Sequence, residues 1–219
     1  RDAEPRRGFP GTGRHPPGSK PSAPFARRVR QQRLPAIPPH AGSAPACPLV
    51  CSRCLQAAGI DYMLTGSVAL NSYAQPRMTR DIDLVVAFVM RDAGRIAEVL
   101  GPEYYVSEDA AREAVLHQNS FNAIHQQTLI KVDFMIRKQD DYRLHEFTRR
   151  VRLRVTDFDL WVVSKEDLIL SKLHWAQESL SERQLADVEN LIATGCDTAY
   201  LRQWSAALNL TDMLTRVLP

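Results

Sequence analysis

Hydrophobic and polar residues follow two different periods along the chain. Between residues 49 and 163, apolar residues at helical spacing alternate with short runs in which they dominate or occupy every second position, as in β-strands. The predicted strands are residues 61–66, 80–89, two strands within 120–136 that meet near Gln126 and Gln127, and a hairpin or edge strand at 152–163 with a turn near Asp157. The predicted helices of this part are residues 49–59, 67–75, 91–101, 109–118 and 140–151.

From Ser164 to the end of the chain the pattern is helical throughout. The predicted helices here are residues 164–179, 181–195, 197–210 and 211–218. Ser164 and Asp167 have the spacing of a helix capping box in which Asp replaces the usual Glu. Strands mixed with helices, followed by helices alone, predict an α+β fold with a mixed sheet flanked by helices. We expect residues 49–163 to form this core and residues 164–219 to form a helical region packed on it.

The net charge of +3 conceals a strong asymmetry between residues 1–48 and the rest of the chain. This segment holds 9 of the 28 basic and 2 of the 25 acidic residues, together with 11 of the 14 prolines. Such a composition buries too little apolar surface to offset the entropy of ordering, so we expect a disordered tail that carries no chemistry. The remaining residues carry a net charge of about −4, so the basic balance does not predict nucleic-acid binding.

Membrane insertion is not expected. The longest uninterrupted apolar run covers residues 84–90, whereas a membrane helix needs about 20 residues. The chain contains four cysteines, and a small number of free thiols is typical of a reducing compartment. We therefore expect a soluble, cytoplasmic protein.

Three of the cysteines form the pattern C-x3-C-x2-C at Cys47, Cys51 and Cys54. This spacing superficially resembles an iron–sulfur loop, but no regular fourth ligand follows for a zinc site, and Cys196 lies far away. Cys51 and Cys54 also have the spacing of neighbours on one face of a helix. We expect them to be small residues that face the core, with a metal cluster as the alternative.

Two acids, Asp81 and Asp83, open the strand at 80–89. Residues two apart on a strand project to the same side, so the carboxylates repel and each raises the pKa of the other unless a cation lies between them. An ordinary charged strand end is the alternative. The chain repeats nearly the same local sequence at Asp157 and Asp159, where no phosphate-binding turn accompanies it, and there we expect plain surface charge.

Gly66 and Ser67 lie 14 or more residues before the acidic pair, between a predicted strand and a predicted helix. Glycine lets a backbone approach a ligand closely, and the amides that begin a helix attract phosphate. A simple helix cap is the alternative for this turn.

Asp133 lies within the otherwise apolar strand LIKVDFMI. A lone carboxylate there is unfavourable to bury without a partner. Lys131 shares its face of the strand, so a salt bridge is one interpretation. The other places Asp133 beside Asp81 and Asp83 on adjacent strands, where three carboxylates would hold two divalent metal ions.

Taken together, the segments TGSVAL, PRMTRDIDLVV and KVDFM resemble the DNA polymerase beta nucleotidyltransferase superfamily. The resemblance covers roughly residues 50–210 and is closest to the minimal bacterial transferases and the AbiEii-type nucleotidyltransferases, several of which are toxin components. Two later segments, EDLILSKL and RQLADV, are similar to the helices that follow the core in that group. The resemblance implies a nucleotidyltransferase fold, an NTP substrate, two Mg²⁺ ions with Mn²⁺ as a substitute, and an antitoxin partner.

The resemblance also implies roles for individual residues. Asp81 and Asp83 would bind both metal ions, and Asp133 would complete the activating site and act as or assist the general base. The residues implied in nucleotide binding are Gly66 and Ser67 at the triphosphate, Lys172 at the phosphates and Asp187 as the group that orients Lys172. Arg77 and Arg80 flank the acidic pair and either neutralise phosphate charge or lie on the surface.

Three functions follow as hypotheses. The first is an enzyme that transfers a nucleoside monophosphate from an NTP to a hydroxyl of tRNA, protein or a small molecule and releases pyrophosphate. The second is a catalytically idle binding or antitoxin module of the same fold. The third is a metal-cluster protein built on the three clustered cysteines. The three acids favour the first, because an idle site has no need of carboxylates that are unfavourable to bury.

Overall fold

The computed structural model describes residues 46–79, 81–155 and 158–218. Its strands are β1 Tyr62–Thr65, β2 Asp81–Val86, β3 Tyr104–Val106, β4 Ser120–His125, β5 Lys131–Ile136, β6 Val151–Val155 and β7 Phe158–Val162. Its helices are α1 Ala46–Ala57, α2 Gly66–Leu70, α3 Met90–Ala93, α4 Ile96–Leu100, α5 Glu108–His117, α6 Asp141–Thr148, α7 Lys165–Ser179, α8 Glu182–Ala193, α9 Thr198–Ala207 and α10 Thr211–Val217. Residues 1–45 of the predicted tail and Arg80 lie outside the described residues, whereas residues 46–48, which the sequence analysis assigned to the tail, begin α1.

One mixed seven-stranded sheet organises the molecule, in the order β3-β4-β5-β2-β1-β7-β6. The central pair, β2 and β5, is parallel, and β1 lies antiparallel on the other side of β2. Together with the helices this confirms the predicted α+β class. Strand β2, which begins with Asp81, and strand β5, which begins with Lys131, therefore lie side by side at the centre of the sheet. Their side chains form rows across the two strands.

Alternation along β2 and β5 separates a buried face from a polar face. Ile82, Leu84 and Val86 are buried on β2, and Val132 and Phe134 are buried beside them on β5. Side chains two apart share a face, so the intervening acids lie on the opposite side. Aromatic stacking stabilises the buried face, where the rings of Phe121 and Phe134 lie 4.8 Å apart at 11°.

Several element boundaries differ from the sequence prediction for local reasons. The helix predicted at 67–75 ends at Leu70 and continues as turns. The helix predicted at 91–101 is interrupted at Gly94 and Arg95, giving two short helices. Strand β3 was not predicted, because three residues at the sheet edge are too few to show a period. The hairpin of β6 and β7 is present, but its turn at Thr156 and Asp157 lies outside the described residues.

The four C-terminal helices agree with the prediction, and a buried acid connects them to the core. Asp167 is fully buried and accepts hydrogen bonds from Ser164 Oγ at 2.6 Å, from Arg149 Nε at 3.0 Å and from the hydroxyl of Tyr200. Ser164 caps α7 as predicted, but Asp167 does not complete the capping box, since its carboxylate binds side chains instead. Whether Ser164 marks a domain boundary stays a prediction.

Across the described part of the chain, no helix is long and apolar enough to cross a membrane.

Candidate active site

The strand register brings the three predicted acids together. Asp83 on β2 and Asp133 on β5 are direct partners in the parallel pair, and Asp81 is the partner of Lys131 in the preceding row. Neighbouring strands lie about 4.8 Å apart, so side chains in one row are adjacent. All four side chains project from the polar face of the sheet. The ladder thus forms a compact group of three carboxylates and one ammonium.

Asp83 is the central member of this group, and the neighbouring cations offset the negative charge of its carboxylate only in part. Burial raises the pKa of the Asp83 carboxyl, and the negative charges of Asp133 and Asp81 raise it further, while Lys172 and Lys131 lower it only in part. The ionised form is therefore disfavoured at this position. A bound cation would relieve both the repulsion and the loss of hydration.

Lys131 already neutralises part of the acidic group. Its Nζ lies 2.8 Å from Oδ2 of Asp133, and this hydrogen bond raises the pKa of Lys131. The salt bridge that the sequence left open is thus present, together with the juxtaposition of Asp133 and Asp83. Within the described ranges, no three Asp, Glu, His or Cys side chains are placed to hold a metal ion. The ion pair of Asp133 uses Oδ2, so a metal ion at the three acids would bind the other carboxylate oxygen or displace Lys131.

Gly66 gives the Asp83 carboxylate its space. A Cβ at Gly66 would lie 1.9 Å from Oδ2 and 2.6 Å from Cγ of Asp83, and the glycine has a φ of +64°. Only glycine adopts this conformation readily and leaves this volume empty. The turn that the sequence singled out is therefore built directly against the central acid. Helix α2, which begins here, is a single short segment of five residues.

Arg77 links this turn to the C-terminal helices. Its Nε and Nη2 donate to the two carboxylate oxygens of Asp187 at 2.9 and 2.8 Å, and Nη2 also donates to Ser67 Oγ. Asn71 holds the backbone of Arg77 in place, since its amide accepts from the Arg77 N–H at 2.9 Å and donates to the Arg77 carbonyl at 3.1 Å. The loop before the acidic pair is thus fixed at both its backbone and its side chain.

Lys172 and Asp187 meet as the resemblance implied. Lys172 Nζ lies 2.6 Å from Asp187 Oδ2 and 3.1 Å from Gln184 Oε1. Burial lowers the pKa of Lys172, and the hydrogen bond to Asp187 offsets only part of this effect. Burial alone would raise the pKa of Asp187, but the hydrogen bonds from Arg77 and Lys172 outweigh it, so the pKa lies below its ordinary value.

Two adjoining cavities meet at Asp83. The smaller, of about 460 Å³, is lined by the three acids and Ser67 and also by Arg77 and Arg183. The larger, of about 620 Å³, is lined by Asp83, by Arg143 of α6 and by Trp175 of α7. Ser67, Asp83 and Gln184 border both cavities. A lining with both carboxylates and guanidinium groups provides ligands for cations and for anions within one space.

The other sequence features lie away from this group. Asp159 of the second acidic pair binds Arg154 at 3.0 Å on the surface, while Asp157 lies outside the described residues. Cys51 is fully buried in the core and Cys54 is partly buried, and neither forms a disulfide. Cys47 falls in α1, where its side chain is not described, so the cluster hypothesis stays open for that residue.

Sequence reasoning missed the binding of Arg77 to Asp187 and the contact of Gln184 with Lys172. The first pair is 110 residues apart in the chain, so no local spacing connects its members. The available signal was the position of Arg77 close before the acidic pair. That position placed Arg77 near the acids but did not identify its partner.

Comparison with known proteins was made on sequence and on structure. Residues 49–213 match the family model described as "Nucleotidyl transferase AbiEii toxin, Type IV TA system". No curated protein sequence matches the chain.

Two solved structures illustrate the structural likeness. The antibiotic-resistance enzyme ANT(2'')-Ia in complex with adenylyl-2''-tobramycin is 15% identical, with a TM-score of 0.51 over 75% of this chain and 95% of that chain. The lincosamide antibiotic adenylyltransferase LnuA, lincomycin-bound, is 14% identical, with a TM-score of 0.48 over 69% and 98%. At such identity the likeness concerns the fold.

Proposed function

The chain belongs to the AbiEii nucleotidyltransferase toxin family, and we propose that it moves a nucleoside monophosphate from an NTP to an acceptor hydroxyl with release of pyrophosphate. The observation that carries the proposal is the row formed by Asp83 and Asp133 on adjacent parallel strands. Asp81 flanks this row, and Gly66 leaves space for the central carboxylate. Membership of the family makes the protein a nucleotidyltransferase; the residues and the metal ions belong to the proposal.

The acidic group fits divalent metal ions in its chemistry. Mg²⁺ prefers carboxylate and phosphate oxygens, and Asp81, Asp83 and Asp133 provide six carboxylate oxygens on one face. The raised pKa of Asp83 supports this assignment, because it reflects burial and, after that, repulsion by Asp133 and Asp81, and a cation would offset both. Two Mg²⁺ ions, or Mn²⁺ in their place, would activate the acceptor hydroxyl and neutralise charge on the phosphates.

The protein's own groups have separate tasks in this proposal. Gly66 and Ser67 border the triphosphate, and Lys172, oriented by Asp187, supplies positive charge beside Asp83. The carboxylate of Asp133 first separates from Lys131 and then accepts the proton of the acceptor hydroxyl. The hydroxyl oxygen then attacks the α-phosphorus, the bond from that phosphorus to the bridging oxygen breaks, and pyrophosphate leaves.

The biological role proposed is that of a toxin held in check by an antitoxin partner, as the family description indicates. The acceptor would be a hydroxyl of tRNA, of a protein or of a small molecule. The two antibiotic adenylyltransferases make antibiotics one small-molecule class to include in a test.

An idle module of the same fold is the second candidate, and one observation favours it. The salt bridge of 2.8 Å between Lys131 and Asp133 neutralises an acid that catalysis requires. If that pair persisted in the presence of Mg²⁺ and NTP, the neutralised Asp133 would be a weaker metal ligand and a weaker base. The two candidates therefore differ in whether the protein catalyses transfer of the nucleotide.

Transfer of label distinguishes them. The protein is incubated with Mg²⁺ and α-labelled ATP, CTP, GTP or UTP, together with tRNA, cell lysate, lincomycin or tobramycin in separate reactions. We expect label on one acceptor with the wild type and none with Asp81→Ala combined with Asp83→Ala. Asp159→Ala is the matched control from the second acidic pair and should transfer as the wild type does. Absence of transfer with every acceptor, or full transfer by the double variant, would contradict the proposal.

A further inference from the structure

Arg137 contributes a half-buried positive charge to the lining of the larger cavity. Its guanidinium makes no hydrogen bond or ion pair with any described residue, and its Nε is buried. The glutamates of the same lining have other partners, since Glu146 accepts from Arg143 at 2.9 Å and Glu178 lies 3.5 Å from His174. A buried polar group without a partner is unfavourable, so the fold alone does not account for Arg137.

The surroundings of Arg137 hold its guanidinium in place without neutralising it. Its Cζ lies 5.0 Å from the ring centre of Phe147 on α6. The Cζ of Arg150 lies 4.2 Å from the same ring centre, and this second cation pairs with Asp61 at 2.8 Å. Burial lowers the pKa of Arg150, Asp61 offsets part of this effect, and the charge of Arg137 lowers the pKa further. Two like charges thus share one aromatic ring, where an anion would be stabilised.

The position of Arg137 along β5 separates it from the acids. Its backbone N–H donates to the carbonyl of Val86 at 2.9 Å, so the pairing of β5 with β2 continues to this residue. Asp133 and Arg137 are four residues apart, so they project to the same face with about 13 Å between their Cα atoms. An NTP carries its negative charge on the triphosphate, which the proposed function places at Gly66, Ser67 and the acids. An anionic group at Arg137 therefore belongs to another molecule.

We propose that Arg137 binds an anionic group of the acceptor within the larger cavity, so that the acceptor is a hydroxyl compound that also carries a phosphate or a carboxylate. This inference rests on the proposed function and names the chemical class of its acceptor. A guanidinium binds either anion through charge-assisted hydrogen bonds. Lys138, which is exposed in the same lining, adds to the attraction. The same charges repel a polycationic acceptor such as tobramycin.

Calorimetric titration of the full chain with small anionic hydroxyl compounds tests the site without any need for transfer. The probes are the ribodinucleotide ApA, ribose 5-phosphate and gluconate, which represent a nucleic-acid end, a small phosphate compound and a carboxylate. We expect at least one of them to bind the wild type and Arg137→Met to weaken that binding by about tenfold or more. Arg137→Lys should weaken it less, because the charge is retained. The uncharged methylphosphonate analogue of ApA and tobramycin should bind more weakly than the best anionic probe.

Arg152→Met is the matched control. Among the described residues, Arg152 also lies over an aromatic ring, with its Cζ 4.7 Å from the ring centre of Trp161, but it lines neither cavity. Its variant should bind the probes within about twofold of the wild type. The α,β-methylene analogues of ATP, CTP, GTP and UTP should bind the wild type and Arg137→Met equally, because the site is separate from the triphosphate.

Equal affinity of the wild type and Arg137→Met for every probe would overturn the inference. So would no binding of any probe to the wild type, tighter binding of tobramycin, or an equal loss in Arg152→Met. The unfolding temperature of Arg137→Met should lie within about 2 °C of the wild type, because no ion pair is lost. Should this variant not fold, the comparison of each anionic probe with tobramycin, and of ApA with its methylphosphonate analogue, in the wild type decides the result. Binding that depends on Arg137 in a chain that labels no acceptor would refute transfer and retain the anion site, so the two failures are distinguishable.

Discussion

Replacement of Gly66 by alanine tests the central contact of the site. The added Cβ would lie 1.9 Å from Asp83 Oδ2, whereas ordinary contact begins at 3.4 Å. The carboxylate must therefore move by about 1.5 Å, the difference between the two distances. Because Cγ and Cβ of Asp83 would also be only 2.6 and 2.9 Å away, rotation of the terminal group is not sufficient. The side chain or its strand has to shift.

Gly66→Ala is expected to lower both the stability of the fold and the rate of transfer, for different reasons. Alanine at a φ of +64° costs about 1–2 kcal/mol because Cβ approaches the backbone. In a domain of this size that corresponds to a fall of roughly 2–8 °C in the unfolding temperature. The displacement of Asp83 acts on catalysis, where misplacement by about 1 Å reduces the rate about 100-fold.

Gly59 and Gly195 supply matched controls. They have φ values of +70° and +81°, and a Cβ at either position meets nothing within 4 Å. Alanine there should lower the unfolding temperature by a similar amount and leave transfer unchanged. Differential scanning calorimetry measures the first quantity and transfer of an α-labelled nucleotide the second.

The reasoning fails if Gly66→Ala transfers at the rate of Gly195→Ala. That result would mean that Asp83 can move by more than an ångström without consequence, and so that its position is not part of the reaction. Equal loss of activity in all three variants would instead assign the effect to the backbone conformation alone.

Four further predictions concern the acids, their partners, the metal ions and the tail. Asp83→Asn should abolish transfer and raise the unfolding temperature, since the raised pKa of Asp83 means that its charge destabilises the fold at pH 7. Asp187→Asn should lower the free energy of unfolding by about 3–5 kcal/mol in urea titrations, because Lys172 is left buried without its partner. The pKa of Asp187 is depressed from its ordinary value of 3.8. The contribution of ionised Asp187 to stability is therefore complete above about pH 4 and is lost as the pH falls through the depressed pKa. The Asp187→Asn variant should lack this part of the loss of stability in acid. Chelation with EDTA should stop transfer, and Mn²⁺ or Mg²⁺ in excess should restore it. Deletion of residues 1–48 should leave the transfer rate within about twofold, given a composition that predicts no packed site.

Local patterns were sufficient to predict the elements that form the site. The alternation at 131–136 fixed which face Asp133 occupies, and the acids at 81 and 83 marked the start of β2. The adjacency of Asp83 and Asp133 could not be predicted from periodicity alone, because strand order is a property of the whole sheet. The sequence allowed this adjacency as one of two interpretations of Asp133, and the parallel register of β2 and β5 places Asp133 beside Asp83.

Contacts between distant segments could not be read from the sequence. Arg77 and Asp187 carry no shared spacing, and each had several candidate partners of opposite charge. Which pair forms depends on the position of α8 over the loop before β2, and this follows from packing of the C-terminal helices. Short elements such as β3 and the break at Gly94 also escaped prediction, since three or four residues contain too little of either period.

The energetics of the acidic face bear on whether the site is active or idle. Burial and two neighbouring carboxylates disfavour the ionised form of Asp83, and Lys131 compensates mainly at Asp133. Gly66 adds a second unfavourable feature, because a glycine loses more freedom on folding than other residues and is required here by the volume of the Asp83 carboxylate. Both features weaken the fold, and a small, neutral residue at position 83 would remove the repulsion and the crowding against Gly66, while the φ of +64° would still favour glycine. A binding module would gain stability from that change and lose nothing, so the two unfavourable effects of the Asp83 carboxylate support the proposal that Asp83 serves the transfer reaction.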